Sequence, residues 1–224
     1  MNILNFGMKE YDSDKAKQLI SLLKSRYKLK KKSDTPFKVL ISTVLSQRTR
    51  DEITDRVSTR LFSKYKAPED FIKLTDKRLQ NLVKEIGFYK VKAKRIKEIS
   101  RLLVEKFDSK VPSDIDSLLS FPGVGRKTAN CVLVYGFGMS ALPVDTHVHR
   151  IANRLGIVNT HTPEKTEEAL TQIFPQEYWG WLNTVLVEFG KETCKPIKPL
   201  CEKCKLAHLC LYNMLHTPLS NFMP

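Results

Sequence analysis

Residues 118–130 read LLSFPGVGRKTAN, and the way this stretch is taken decides the fold. An apolar half-turn runs into Phe121-Pro122-Gly123-Val124-Gly125, the chain reverses, and Arg126, Lys127 and Thr128 open a further helix. Glycine at two positions lets the backbone of such a turn come close to a ligand, and the unpaired N–H groups at the start of the next helix are donors suited to an anion. A turn of this kind grips a phosphate backbone without reading base sequence. Its plain alternative is a helix corner in which glycine only supplies unusual backbone angles. GRKTAN weighs against the plain alternative, because it adds two cations where the helix dipole is already positive.

The pattern on either side is helical almost throughout. Phe37, Leu40, Ile41, Val44 and Leu45 mark one face of a helix that starts at Pro36, a first-turn position where a missing N–H costs nothing. Thr49-Arg-Asp-Glu52 has capping-box spacing and predicts a second helix through about Tyr65. A third is expected from Thr75 to Gly87. A fourth follows from about Tyr89, with Ala93, Ile96, Ile99, Leu103 and Phe107 three or four residues apart. Its outer face is basic: Lys84 to Lys106 holds eight Lys/Arg and three Glu, which suits either a solvated face or a phosphate-facing one. Further helices are predicted from Asp145 to near Gly156, after Thr162-Pro163, and across Trp181, Leu182, Val185, Leu186 and Phe189. Neither a strand ladder nor a repeat is visible. Residues 28–35 read as a linker, 136–143 as a second break, and 212–224 as a tail that wraps the surface or frays.

Lys127 raises a question of protonation. A lysine nucleophile attacks as the neutral amine, and at an ordinary pKa of about 10.4 only one molecule in a few thousand is neutral at pH 7. Burial, adjacent Arg126 and the helix dipole all favour losing the proton, and a pKa of about 7 to 8 would raise the neutral population more than a hundredfold. The competing role is a phosphate clamp. In PVDTHVHR, Asp145 stands directly before a helix, where its ordinary duty is an N-cap. In a basic cleft a fixed carboxylate also stabilises positive charge developing on a sugar and helps move protons. His147 and His149, two residues apart, do not share a helical face and do not suggest a metal pair.

The 224-residue chain is long enough to bury about 70% of its unfolded surface in one large domain or two modest ones. With 38 Lys+Arg against 24 Asp+Glu it carries a formal charge of +14 and a pI near 9.6, which points to a polyanionic partner. No apolar run approaches the ~20 residues of a membrane span, and the start resembles no secretory signal. An intracellular, cytoplasmic or nucleoid-associated protein that is not secreted, and a monomer with no membrane partner, is expected. Cys131 lies in an apolar helical stretch and reads as a core residue. The other four cysteines form Cys194-x6-Cys201-x2-Cys204-x5-Cys210. Four soft thiolates so close in sequence can enclose tetrahedral zinc or an iron–sulfur cluster, and a single C-x2-C knuckle counts against a common zinc ribbon.

TPFKVLISTVLSQRTRD, IGFYKVKAKRI, FPGVGRKTAN, VDTHVHR and the four cysteines, in this order, closely resemble the endonuclease III family of helix-hairpin-helix DNA glycosylases. The resemblance spans nearly the whole chain. It implies an all-α fold of two helical domains flanking a DNA-binding cleft. One is a six-helix domain over 29–139, with the hairpin motif at about 115–134; the other is 1–28 plus 140–224, with a cluster loop at 194–210. It further implies a bifunctional glycosylase and AP lyase of base excision repair, acting on duplex DNA with a damaged base, usually an oxidised pyrimidine, or an abasic site. Lys127 would attack C1′ and form a Schiff base that undergoes β-elimination, with Asp145 supporting the transition state. Gly123, Val124, Gly125, Arg126 and Thr128 would hold the DNA backbone, Gln47 and Phe88 would fill the space left by the extruded nucleotide, and Arg48 would bind DNA beside them. The family's common Gln corresponds to Arg48 here, with Gln47 one place earlier, and Phe88 replaces a common Leu. Cys194, Cys201, Cys204 and Cys210 would hold a [4Fe-4S] cluster, with zinc as the alternative. Two rival readings remain: a sibling glycosylase for mismatched bases, and a non-enzymatic hairpin module with a structural metal.

Overall fold

The structure, a computed structural model, describes residues 13–27 and 34–216. Among these residues the chain is helical and has no strand. In order the helices are α1 (Ser13–Arg26), α2 (Pro36–Ser46), α3 (Asp51–Phe62), α4 (Pro68–Lys73), α5 (Asp76–Leu82), α6 (Tyr89–Lys106), α7 (Ile115–Leu119), α8 (Arg126–Cys131), α9 (Thr146–Leu155), α10 (Pro163–Ile173), α11 (Trp179–Glu192) and α12 (Leu211–His216). Among the described residues no helix is long and apolar enough to cross a membrane. The chain divides into two compact units, Lys31–Pro143 and the combination of Met1–Lys30 with Val144–Pro224.

Within Lys31–Pro143, α2 is the central rod. Thr35 caps it by accepting from the Lys38 N–H, and Pro36 opens its first turn. Leu40, Ile41, Val44 and Leu45 are fully buried, along with Leu79 and with Ile96, Ile99 and Leu103 of α6. Phe71 of α4 packs edge-on to Phe37, with ring centroids 5.3 Å apart, and Phe62 closes the trio at 5.8 Å from Phe71. These large apolar side chains supply the free energy that holds six short and medium helices around α2. Helix α8 continues as a π-helical turn, Val132–Gly136, whose Tyr135 carbonyl accepts the Asp34 N–H at 3.3 Å.

In the other unit α9 lies against α10, α11 and α12. The α1 end is fastened through Glu192 of α11, which takes the Arg26 guanidinium at 3.1 Å and the Tyr27 hydroxyl at 3.0 Å. Burial first, and the Glu192 carboxylate second, push the Tyr27 phenol up to about 12.

Several boundaries differ from expectation. The proposed capping box at Thr49 is not formed: α3 begins at Asp51 with Arg50 in the cap position and no side-chain cap. The Thr49 hydroxyl is instead within reach of the Gln47 carbonyl and the Lys92 ammonium. That helix stops at Phe62 rather than Tyr65, and the one after Thr75 stops at Leu82, with a turn closed by Ile86 N–H to Val83 carbonyl before Gly87. Helices α4 and α7, of six and five residues, are too short to show a period. The expected loose tail is helical over 211–216, while 217–224 and linker residues 28–33 lie outside the described residues. Phe71→Ala should destabilise the Lys31–Pro143 unit by about 3–5 kcal/mol, read as a lower urea midpoint; an unchanged midpoint would mean that the aromatic trio does not hold this core.

Candidate functional site

The turn between α7 and α8 is shaped by two buried side chains. Phe121 and Val124 are 2% and 6% exposed, with Leu118 and Ala129 buried beside them, and the Val124 N–H closes the turn on the Phe121 carbonyl at 3.1 Å. Asp114 caps α7 through the Ser117 N–H at 2.8 Å, and that backbone donor holds its carboxyl below the usual carboxylate range. With the apolar groups turned inward, Gly123, Gly125 and Arg126 are left exposed and Lys127 half-buried in the first turn of α8. Thr128 is buried, and so is Val124. Cys131, 5% exposed, is a core residue as expected.

Gly123 needs to be glycine. Its φ is +76°, a left-handed conformation, and a Cβ there would lie 2.7 Å from Cδ of Arg95, whose side chain crosses the turn. Gly125, the cap of α8, has φ −96° and open space where a Cβ would stand. Gln47 also reaches this turn: its Nε2 donates to the Gly123 carbonyl at 2.9 Å and approaches Thr128 Oγ1 at 3.4 Å. The structure thus ties Gln47 to the hairpin and leaves Arg48 exposed, with φ +51°.

Phe88 has the same unusual backbone, φ +58°, and is 63% exposed. The Arg48 guanidinium stands 6.0 Å from the Phe88 ring centroid. Two non-glycine residues in left-handed backbone, both pointing outward and side by side, mark a strained, outward-facing feature. Beneath them lies Lys92, 2% exposed. Its ammonium donates to the Leu45 carbonyl at 2.8 Å, to the Gln47 carbonyl and to Thr49 Oγ1 at 2.9 Å. The Leu45 and Gln47 carbonyls are those of the C-terminal end of α2, where a cation is favoured. Burial, with Arg95 second, brings Lys92 down to about 8. Lys92 and Arg95 were not singled out from sequence. Lys92 sits one turn before Ile96 on the apolar stripe of α6, and a lysine at a stripe position was the readable signal. Elsewhere the basic face is partly paired, as in Lys97 with Asp76 at 2.6 Å.

In the other unit Asp145 caps α9, its Oδ1 accepting from the N–H groups of His147 at 2.8 Å and Val148 at 2.9 Å. His147 and His149 do not converge: His149 Nδ1 faces Thr166 Oγ1, while His147 Nδ1 faces Arg150.

The four C-terminal cysteines line one cavity, walled also by Leu155, Phe189 and Tyr212. Among the described residues no three Cys, His, Asp or Glu side chains group tightly enough to hold a single metal ion. Arg154 of α9 secures this loop, donating to the Lys195 carbonyl at 2.7 Å and the Pro196 carbonyl at 2.8 Å, with Cys194 Sγ at 3.5 Å. Arg150, one turn earlier, donates to the Cys194 carbonyl at 2.9 Å. Burial raises the thiols of Cys201, Cys204 and Cys210. Four thiols on one apolar-walled cavity, with guanidinium donors alongside, suit an anionic thiolate-bound group.

A helix-hairpin-helix with an exposed glycine backbone, a half-buried lysine at the start of its second helix and a separate four-thiol loop define a class of DNA repair protein. Residues 41–176 match the HhH-GPD superfamily base excision DNA repair protein model. The chain is 55% identical over 185 residues to endonuclease III of Thermotoga maritima, covering 83% of this chain and 87% of that protein. It is 40% identical over 176 residues to endonuclease III of Bacillus subtilis, covering 78% and 80%. Among solved structures it is similar to a trapped endonuclease III–DNA covalent intermediate in an estranged-adenine complex, with a TM-score of 0.85 and 34% identity over 91% of this chain and 98% of that one. The chain belongs to the endonuclease III family. It is accordingly a DNA glycosylase and AP lyase of base excision repair.

The two glycines of the turn separate in their structural demands. Gly123→Ala should cost about 1–3 kcal/mol in backbone strain and displace Arg95, whereas Gly125→Ala should leave the melting temperature unchanged. Calorimetry on both variants checks this; equal melting temperatures would contradict the assigned geometry.

Proposed function

We propose that Lys127 is the nucleophile of this enzyme, that Asp145 assists it, and that oxidised pyrimidines in duplex DNA are its substrates. The observation that carries the reading is the position of Lys127, half-buried in the first turn of α8, directly after an exposed glycine backbone. Backbone N–H groups at that turn suit a DNA phosphate. Likeness to a relative trapped covalently on DNA supports the same chemistry.

In the proposed sequence the neutral Nζ of Lys127 bonds to C1′ of the damaged nucleotide as the C1′–N bond to the base breaks. The base leaves with that bond's electron pair and takes up a proton. The amine then loses one of its two protons, and the C1′–O4′ bond breaks as the sugar ring opens, O4′ taking its electron pair and a proton, which leaves a protonated imine between C1′ and Nζ. Loss of a C2′ proton then expels the 3′ phosphate, a β-elimination that cuts the strand. The Asp145 carboxylate, held on the N-terminus of α9, supports the developing positive charge and takes up protons. Arg48 and Phe88 fill the gap in the duplex, and Gln47 braces the hairpin that holds the backbone.

Cys194, Cys201, Cys204 and Cys210 would hold a [4Fe-4S] cluster. Their spacing, their shared cavity and the guanidinium of Arg154 beside Cys194 support this choice over a single zinc. When bound, the group would staple the 194–210 loop. Arg154 and Arg150 fix the loop backbone from α9, and both guanidinium groups offset thiolate charge.

Three measurements test these assignments. Lys127→Ala should abolish strand cleavage at an abasic site, a loss on the order of a thousandfold or more; retained cleavage would remove Lys127 from the mechanism. Duplexes with thymine glycol, with uracil or thymine opposite guanine, and with adenine opposite oxidised guanine should rank thymine glycol first, and preference for a mismatch would favour the sibling reading. Purified protein should contain iron and acid-labile sulfide with broad visible absorbance, both lost together in Cys204→Ser; stoichiometric zinc without sulfide would overturn the cluster.

A further inference from the structure

One residue of the Lys31–Pro143 unit touches both outward-facing tips. The backbone N–H of Lys92 donates to the Phe88 carbonyl at 3.1 Å, closing the first turn of α6 directly behind Phe88. Its side chain runs under the other tip and donates to the Gln47 carbonyl and to the Thr49 hydroxyl, the two groups that flank Arg48 in the chain. The third donor of the ammonium goes to the Leu45 carbonyl at the end of α2. A protonated lysine has three donors, and all three are used on neutral oxygens. Burying a cation at 2% exposure without a carboxylate partner is costly. What offsets that cost is the set of oxygens it satisfies, which close the end of α2 and also tie down the chain on both sides of Arg48.

The need for such ties is visible in the tips themselves. Arg48 and Phe88 hold left-handed backbone that neither side chain favours. Conformations of this kind persist only where surrounding bonds over-determine them. We propose that Lys92 is a positioning residue for nucleotide extrusion: its ammonium and backbone N–H fix the 47–49 and 88 tips in one rigid pair, so that Arg48 and Phe88 enter the duplex together. The inference rests on the reading of those two residues as gap fillers, and does not depend on which residue attacks the sugar.

Such a role makes a substrate-dependent prediction that core packing does not. Extrusion of a paired nucleotide requires the tips to offset unstacking, whereas a preformed abasic site has no base to unstack. Lys92→Met keeps the stem and removes the three donors. Thymine-glycol excision from a fully paired duplex should then fall roughly ten- to hundredfold, while strand cleavage at a preformed abasic site changes less than about threefold. Stopped-flow fluorescence of 2-aminopurine placed beside the lesion should brighten more slowly in the same proportion, and this readout precedes bond cleavage. Thr49→Val, which removes one acceptor and little volume, should show the same substrate pattern more weakly and stands in if Lys92→Met does not fold. Equal losses on both substrates, or an unchanged 2-aminopurine signal, would overturn the proposal. A failure of Lys127 as nucleophile appears separately, as abasic-site cleavage retained in Lys127→Ala.

Discussion

The turn from Phe121 to Gly125 has to satisfy two demands at once, and the rest of the Lys31–Pro143 unit is arranged to let it. Phe121 and Val124 point into the core, where Phe121 meets Phe107 at 5.4 Å between ring centroids. The backbone between them must therefore bulge outward, in a conformation that only glycine adopts without strain at position 123. Apolar burial is what presents polar backbone to the outside. Arg95 across the turn and Gln47 bonded to the Gly123 carbonyl hold that outward face in place from α6 and from the end of α2. Lys127 follows in the first turn of α8, so its position is set by how two apolar side chains are buried.

The same economy governs the neighbouring tips. The last carbonyls of α2 require donors, and a buried lysine of α6 supplies them. Satisfying a helix terminus thereby also fixes the segment that carries Arg48. In the other unit, α9 presents Arg150 and Arg154 one turn apart to the carbonyls of residues 194–196, so a single helix face organises the thiol loop. Both cases use a long cation to convert unsatisfied backbone oxygens into a fixed loop.

Much of this was legible in sequence where a local rule acts. The stripe Ala93, Ile96, Ile99, Leu103 gave α6 its start and extent, Asp145 capped α9 as its position suggested, and the glycine turn lay where FPGVG put it. Less was legible where the deciding contact is distant in the chain. Thr49 has the spacing of a cap, yet Lys92, 43 residues away, claims its hydroxyl. Gln47 and Arg48 look interchangeable in LSQRTRD. Their different fates follow from the Gly123 carbonyl, 76 residues on, which binds one and leaves the other exposed. Val124 and Thr128 are in a motif that suggests contact with a ligand, and the structure buries both residues. Helices as short as α4 and α7 carry too few residues for any period to emerge.

The central claim is that the amine of Lys127 becomes bonded to the sugar of the damaged nucleotide. The most direct measurement is peptide mapping by mass spectrometry of the protein–DNA adduct formed when borohydride is present during turnover. The account predicts a reduced deoxyribose remnant on Lys127. A remnant on any other lysine, or on the chain's amino terminus, would contradict it.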